Sequence, residues 1–344
     1  MNLFEFTRAL VDIESITDNE RHVGNFLFER LSVLAKQHKG QVERMEVEPG
    51  RFNVFASWGS PVVTLSTHMD TVPPFFPSRE DHEFVWGRGA CDAKGIIASM
   101  IAAAEKLLAD GVSDFGVLFV VGEERNSAGA RVAARMSRGS RFLINGEPTE
   151  NKLSVASKGA LRFEVRASGQ MAHSGYPELG HSAIDDLLDV LEDLRRIALP
   201  TDALLGKSTM NIGTISAGRA PNVIADQAEA EIMFRLVGDP EPIREAVRML
   251  VTERVKAHEV LYTPVRHLLK LNGLPTTVVA FTTDIPALEE SWGAPFLIGP
   301  GNIHLAHTAE ERVSKQELSD AVGIYVGMVK RLLRPDRNII EENQ

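Results

Sequence analysis

Apolar and polar positions alternate in two distinct textures along this chain. In residues 22–36 (HVGNFLFERLSVLAK), Val23, Phe26, Leu31 and Leu34 recur at helical spacing with charges between them, which predicts an amphipathic helix. Short β-like runs follow: FNVFAS, PVVTLST, FGVLFVVG and RFLINGE. Between the second and third lies DAKGIIASMIAAAEKLLADG, which predicts a helix starting near Asp92 and stopping at Gly111. Strand–helix–strand alternation of this kind predicts a mostly parallel sheet covered by helices on both faces. In such sheets functional groups gather at the carboxyl ends of the strands.

From about residue 158 the texture changes. GALRFEVRAS alternates like a strand, HSAIDDLLDVLEDLRRI reads as an amphipathic helix, and STMNIGTISAG and QAEAEIMFRLV read as two more strands. PEPIREAVRMLVTERVKAH then predicts a second helix. This β-α-β-β-α order predicts a small α+β, ferredoxin-like module with an antiparallel sheet and helices on one face. After about residue 268 the α/β texture returns, and SKQELSDAVGIYVGMVKRLLR predicts a closing helix. The expected organisation is a discontinuous α/β domain, residues 1–157 and 269–344, interrupted by an inserted module at 158–268. The tail IIEENQ is expected to fray.

The length of 344 residues fits two domains, because it exceeds the size at which one core stops growing. A net charge of -10 gives no basic footprint for nucleic acid. No apolar run approaches membrane-spanning length, and MNLFEFTRALVDIES lacks a secretory pattern. The single cysteine, Cys91, rules out an intrachain disulfide framework and suits the reducing cytosol. These features predict a soluble, cytoplasmic protein with no nucleic-acid or membrane partner.

Chemistry concentrates where the apolar runs end. VTLSTHMDTVPP delivers His68 and Asp70 before prolines that cannot continue a central strand. GRGACDAKG places Asp92 in a Gly-rich turn before a helix, VVGEERNS ends in Glu123 and Glu124, LINGEPT ends in Glu147, and GPGNIHLAHT carries His304 and His307. Singly, each has an ordinary explanation: a helix cap for Asp92, a solvated turn for Glu147, a wet surface for the glutamate pair. Jointly, carboxylates brought to one sheet edge repel unless cations neutralise them. Carboxylates and imidazoles without a thiolate pair suit two divalent ions, zinc first, with cobalt or manganese as alternatives.

These motifs resemble the M20 metallopeptidase and amidohydrolase family, which includes acetylornithine deacetylases, succinyl-diaminopimelate desuccinylases, aminoacylases and dipeptidases. The matches are His-x-Asp-x-Val-Pro at 68–73, Gly-Arg-Gly-x-x-Asp-x-Lys-Gly at 87–95, Gly-Glu-Glu at 122–124, Gly-Glu-Pro-Thr at 146–149 and Gly-Pro-Gly…Ala-His-Thr at 299–308. They occur in family order across nearly the whole chain. The resemblance implies that Asp92 bridges two metals, that His68 and Glu147 complete one site, and that Glu124 and His307 complete the other. His307 is preferred to His304 on the Ala-His-Thr pattern. Asp70 matches the residue that holds the ligand histidine's second nitrogen. Glu123 matches the general base.

By the same resemblance the inserted module is a lid and dimerisation domain. His173, in GQMAHSGYPELGHSAID, matches the histidine that reaches the partner subunit's active site and stabilises an oxyanion. Asn222 and Arg235 match positions that hold the substrate carboxylate. Met233, His181 and Ala93 depart from residues common in the family, and Cys91 is read as a small residue in a tight turn. The expected activity is a homodimeric dizinc deacylase acting on a small N-acyl amino acid, N-acetylornithine or N-acetyllysine first, in amino-acid biosynthesis. A desuccinylase or dipeptidase is the alternative within the family. A catalytically silent binding protein and a two-metal phosphoesterase are the rivals outside its chemistry.

Overall fold

A computed structural model describes residues 1–334 and the backbone of 340–341. The chain divides into two compact units. The first comprises Met1–Val155, Leu268–Thr277 and the chain from Thr283 on; the second comprises Ala156–His267 and Val278–Thr282.

The first unit is built on a mixed sheet. Six of its strands run in the order Gln41–Glu48, Arg51–Trp58, Phe115–Val120, Val63–His68, Phe142–Asn145 and Ala294–Leu297. The last four of these pair in parallel, while the first two are antiparallel additions at the edge. The strand Phe115–Val120 shows why its sequence is apolar throughout. Val117 and Phe119 enter a core with the helices Leu3–Val11, Arg21–His38, Lys94–Ala109 and Lys315–Leu332. Leu118 and Val120 enter a second core with Ala130, Ala133, Leu288 and Trp292. A strand buried on both faces has no polar alternation to show. Because the four central strands run the same way, His68, Glu123, Glu124 and Glu147 all emerge at one edge.

The second unit carries a four-stranded antiparallel sheet in the order Thr209–Ala217, Gln227–Leu236, Gly159–Ser168 and Val255–Thr263. The helices Ala183–Arg196 and Glu241–Leu250 contribute Leu187, Leu191, Leu194, Ile243 and Val247 to its core, against Phe163, Ile232 and Phe234. Here the pattern does alternate: Gln227–Leu236 buries every second residue.

Two expectations are corrected. The helix predicted over 240–258 stops at Leu250, and Val255–Thr263 forms the fourth strand instead. The Thr252 hydroxyl accepts hydrogen bonds from the amides of Arg254 and Val255, turning the chain, and the alternation in VKAHEVLYT then suits a strand. In the tail, Ile340–Glu341 pairs with Lys270–Leu271; the remaining residues of IIEENQ lie outside the described residues. No described helix is long and apolar enough to cross a membrane.

Candidate metal centre and active site

The strand Val63–His68 ends with His68 1% exposed. Its Nδ1 lies 3.0 Å from the backbone oxygen of Asp70 and 3.4 Å from Asp70 Oδ1. Its Nε2 lies 2.9 Å from Asp92 Oδ1 and 4.0 Å from Glu147 Oε2. The other Asp92 oxygen, Oδ2, is 3.3 Å from His307 Nε2, which is itself 3.0 Å from Glu124 Oε1. One carboxylate therefore offers each of its oxygens to a different imidazole, and each imidazole has a further glutamate beside it. Ligand-type atoms of His68, Asp92 and Glu124 all lie within 4.8 Å of one another.

Asp70 supports this arrangement from below. It is fully buried, and its carboxylate accepts hydrogen bonds from the amides of Glu123 (3.1 Å) and Glu124 (3.2 Å) and from the Thr17 hydroxyl (2.7 Å). The side chain that steadies His68 thus also sets the turn carrying the glutamate pair. His307 has a φ of 62°, a conformation costly for a residue with a Cβ. Such outliers concentrate where geometry is imposed by function.

The electrostatics follow from burial and crowding. Burial, then the Glu147 carboxylate, pushes Glu123 well above the ordinary carboxylate range. Burial likewise raises Glu147 and Glu124. Asp92 goes the other way: hydrogen bonds from His307 and His68 outweigh its burial and keep it ionised. Hydrogen bonds to Asp92 and Glu124 push His307 up to about 10, and those to Asp70 and Asp92 raise His68 against its burial.

The residues fit a divalent cation. Among the described residues Glu147 Oε1 is buried without a hydrogen-bond partner, an arrangement that costs free energy unless something binds the oxygen. The donor set of imidazole and carboxylate suits zinc, cobalt or manganese. Where bound, such ions acidify water and polarise a carbonyl.

The other expected site residues lie in the second unit. His173 and Asn222 are exposed; His173 Nδ1 accepts a hydrogen bond from the Gly175 amide, and the Asn222 carbonyl accepts one from the Ser174 amide. Arg235 is half-buried, burial lowers its pKa, and no carboxylate among the described residues pairs with it. His181 pairs with Asp186 at 2.7 Å. In the first unit His304 is exposed, and Cys91 is buried with its thiol against the Asn302 carbonyl.

Sequence reasoning missed Asp284, Arg88 and Glu311, all buried. Burial raises Asp284 to about 6, and among the described residues its Oδ1 lacks a partner. An acidic residue following the threonines of FTTDIP carries no distinctive pattern. Glu311 did leave a signal, since Glu310-Glu311 closely follows His307.

Fold and edge together define a metal-dependent hydrolase. Residues 64–331 match the model of peptidase family M20/M25/M40, and the chain belongs to that family. A peptidase M20 domain-containing protein of Schizosaccharomyces pombe is 40% identical over 343 residues, covering 97% of this chain and 85% of that one. A protein of Aspergillus terreus named Probable carboxypeptidase is 36% identical over 368 residues, covering 94% and 85%. Among solved structures, a tripeptidase from Staphylococcus aureus superposes with a TM-score of 0.82 at 21% identity, covering 96% of this chain and 97% of that one. That likeness speaks to the fold.

Proposed function

We propose that this chain hydrolyses the C–N bond preceding a free-carboxylate amino acid, in a short peptide or an N-acyl amino acid. The observation that carries the reading is Asp92, whose two oxygens face His68 and His307 at 2.9 and 3.3 Å. His68, Asp92 and Glu147 would hold one divalent ion, and Asp92, Glu124 and His307 the other, with zinc as the preferred metal. Glu123 is the general base. Its amide is held by Asp70, and a carboxylate beside the ligand set but outside it can take a proton from the attacking water. It then returns the proton to the leaving nitrogen. His173 donates to the oxyanion, and Arg235 with Asn222 holds the carboxylate of the released amino acid. A half-buried guanidinium with no carboxylate partner among the described residues supports that role for Arg235, because its planar fork matches a carboxylate.

The family neighbours named as carboxypeptidase and tripeptidase favour short peptides. N-acetylornithine and N-acetyllysine are the narrower reading within the class, and a cytoplasmic homodimer with the second unit as lid is part of it. The test is hydrolysis by zinc-loaded protein of dipeptides, tripeptides, N-acetylornithine, N-acetyllysine and N-succinyl-diaminopimelate, beside Glu123→Ala and chelator-treated controls. Zinc-dependent release of an amino acid, lost in the variant, is expected. Turnover by the chelated protein or by Glu123→Ala would overturn the assignment.

A further inference from the structure

Beneath the acidic edge lie two buried charges that the proposed chemistry does not use. Arg88 is 2% exposed and Glu311 is 1% exposed, and Arg88 Nη1 donates to Glu311 Oε2 at 2.5 Å. A buried ion pair is weak evidence of stabilisation, since apolar residues of similar volume often serve as well or better. The other oxygen of Glu311 suggests why a carboxylate is there. Oε1 accepts hydrogen bonds from three backbone amides, those of Gly89 (2.9 Å), Cys91 (3.2 Å) and Asp92 (3.2 Å).

Three amides converging on one oxygen fix the peptide planes of the loop that ends in Asp92. Gly89 makes that curvature possible: its φ is 84°, and a Cβ there would fall 2.8 Å from Thr71 Cγ2. The main chain of Glu311 is tied to the same region, with its carbonyl accepting from the Gly87 amide at 3.1 Å and Arg312 pairing with Trp86. His307 stands four residues upstream on this segment. Glu311 therefore joins the segment that presents His307 to the loop that presents Asp92.

The two imidazoles are unequally supported. His68 is buried and held by Asp70, whereas the His307 side chain is 49% exposed and sits at positive φ. We infer that Glu311 is a positioning residue that sets the Asp92–His307 separation, and so governs the ion pocket of Asp92, Glu124 and His307 far more than that of His68, Asp92 and Glu147, where His68 is held by Asp70. The inference rests on the two-ion reading above.

The test is a calorimetric titration of the metal-stripped full-length protein with cobalt(II), accompanied by visible absorption of the bound ion. The parent protein is expected to show two binding events, of which His307→Ala removes one. Glu311→Gln, which keeps the side-chain length and one acceptor oxygen, is expected to weaken that same event by about 10–100-fold, the usual effect of removing a group that orients a ligand. The other event should stay within about threefold, inside the ordinary context scatter of one supporting contact. Glu311→Ala should do the same or more, with circular dichroism reporting whether it folds; the Gln variant decides if it does not. A merely structural role would lower the thermal midpoint while leaving both affinities alone, and that result would overturn the inference. Equal weakening of both events would overturn it too. A parent protein that binds no cobalt would instead refute the two-ion reading itself.

Discussion

The two units treat their polar groups in opposite ways. At the edge of the first, His68, Asp70, Asp92 and Glu147 are all less than a tenth exposed, and carboxylates crowd together where each raises its neighbours. In the second, His173 and Asn222 lie in exposed loops, and the buried interior is almost entirely apolar. An ion-binding edge has to be organised in advance, because charges that rearrange during reaction forfeit their electrostatic advantage. The first unit therefore carries an electrostatic load that a cation would relieve, whereas in the second the half-buried Arg235 guanidinium is the charge that burial disfavours.

Removing the shared carboxylate attacks that distinction most directly. Asp92→Ala should abolish both cobalt-binding events and all hydrolysis, read by calorimetry and product assay; retention of either ion would show that the two pockets do not share it. Glu123→Gln should keep both ions while lowering kcat by about 10²–10⁴-fold, the usual yield of a general base. Asp70→Asn should weaken ion affinity by about 10–100-fold, since it loosens both His68 and the glutamate turn. Turning to the second unit, Arg235→Ala should raise KM by roughly 10–100-fold, the worth of a charge-assisted hydrogen bond, with metal content unchanged.

A pH scan sharpens the contrast with the smallest signal. Glu123, Glu124, Glu147 and Asp284 all have folded pKa values above the ordinary carboxylate range. The folded, ion-free protein then holds protons that the unfolded chain releases, so stability falls as pH rises through and above that range. The imidazoles act with the same sign: the contribution of His307 is complete below its ordinary 6.5 and is lost as pH climbs toward about 10. Differential scanning calorimetry of stripped protein should show the first unit melting on the order of 5 °C lower at pH 9 than at pH 6. Loading with zinc should flatten the slope. A stripped protein equally stable at both values would contradict the crowded edge.

Much of this was legible in the residues. Runs such as FGVLFVVG announce strands buried on both faces, and their abrupt endings in acids and imidazoles point to the edge those strands share. What the sequence hid depends on individual hydrogen bonds and on burial. Thr252 ends a helix through a local turn that competes with a continuing amphipathic pattern, so the fourth strand of the second unit was misread. Asp284 is set apart by its burial, which no residue pattern advertises, and the backbone amides that Glu311 gathers are likewise invisible in the residues even though its place just after His307 is not.

The discontinuity of the first unit also has a consequence for synthesis. All but a short piece of the second unit is contiguous, Ala156–His267, and can close once its own residues have left the ribosome. The first unit must wait for the chain beyond Thr283, including the helix Lys315–Leu332 that packs into its core. His307 and Glu311 arrive among these last residues. During translation the nascent chain thus exposes a half-finished sheet, in which His68, Asp92, Glu124 and Glu147 are made well before His307 and Glu311 can join them.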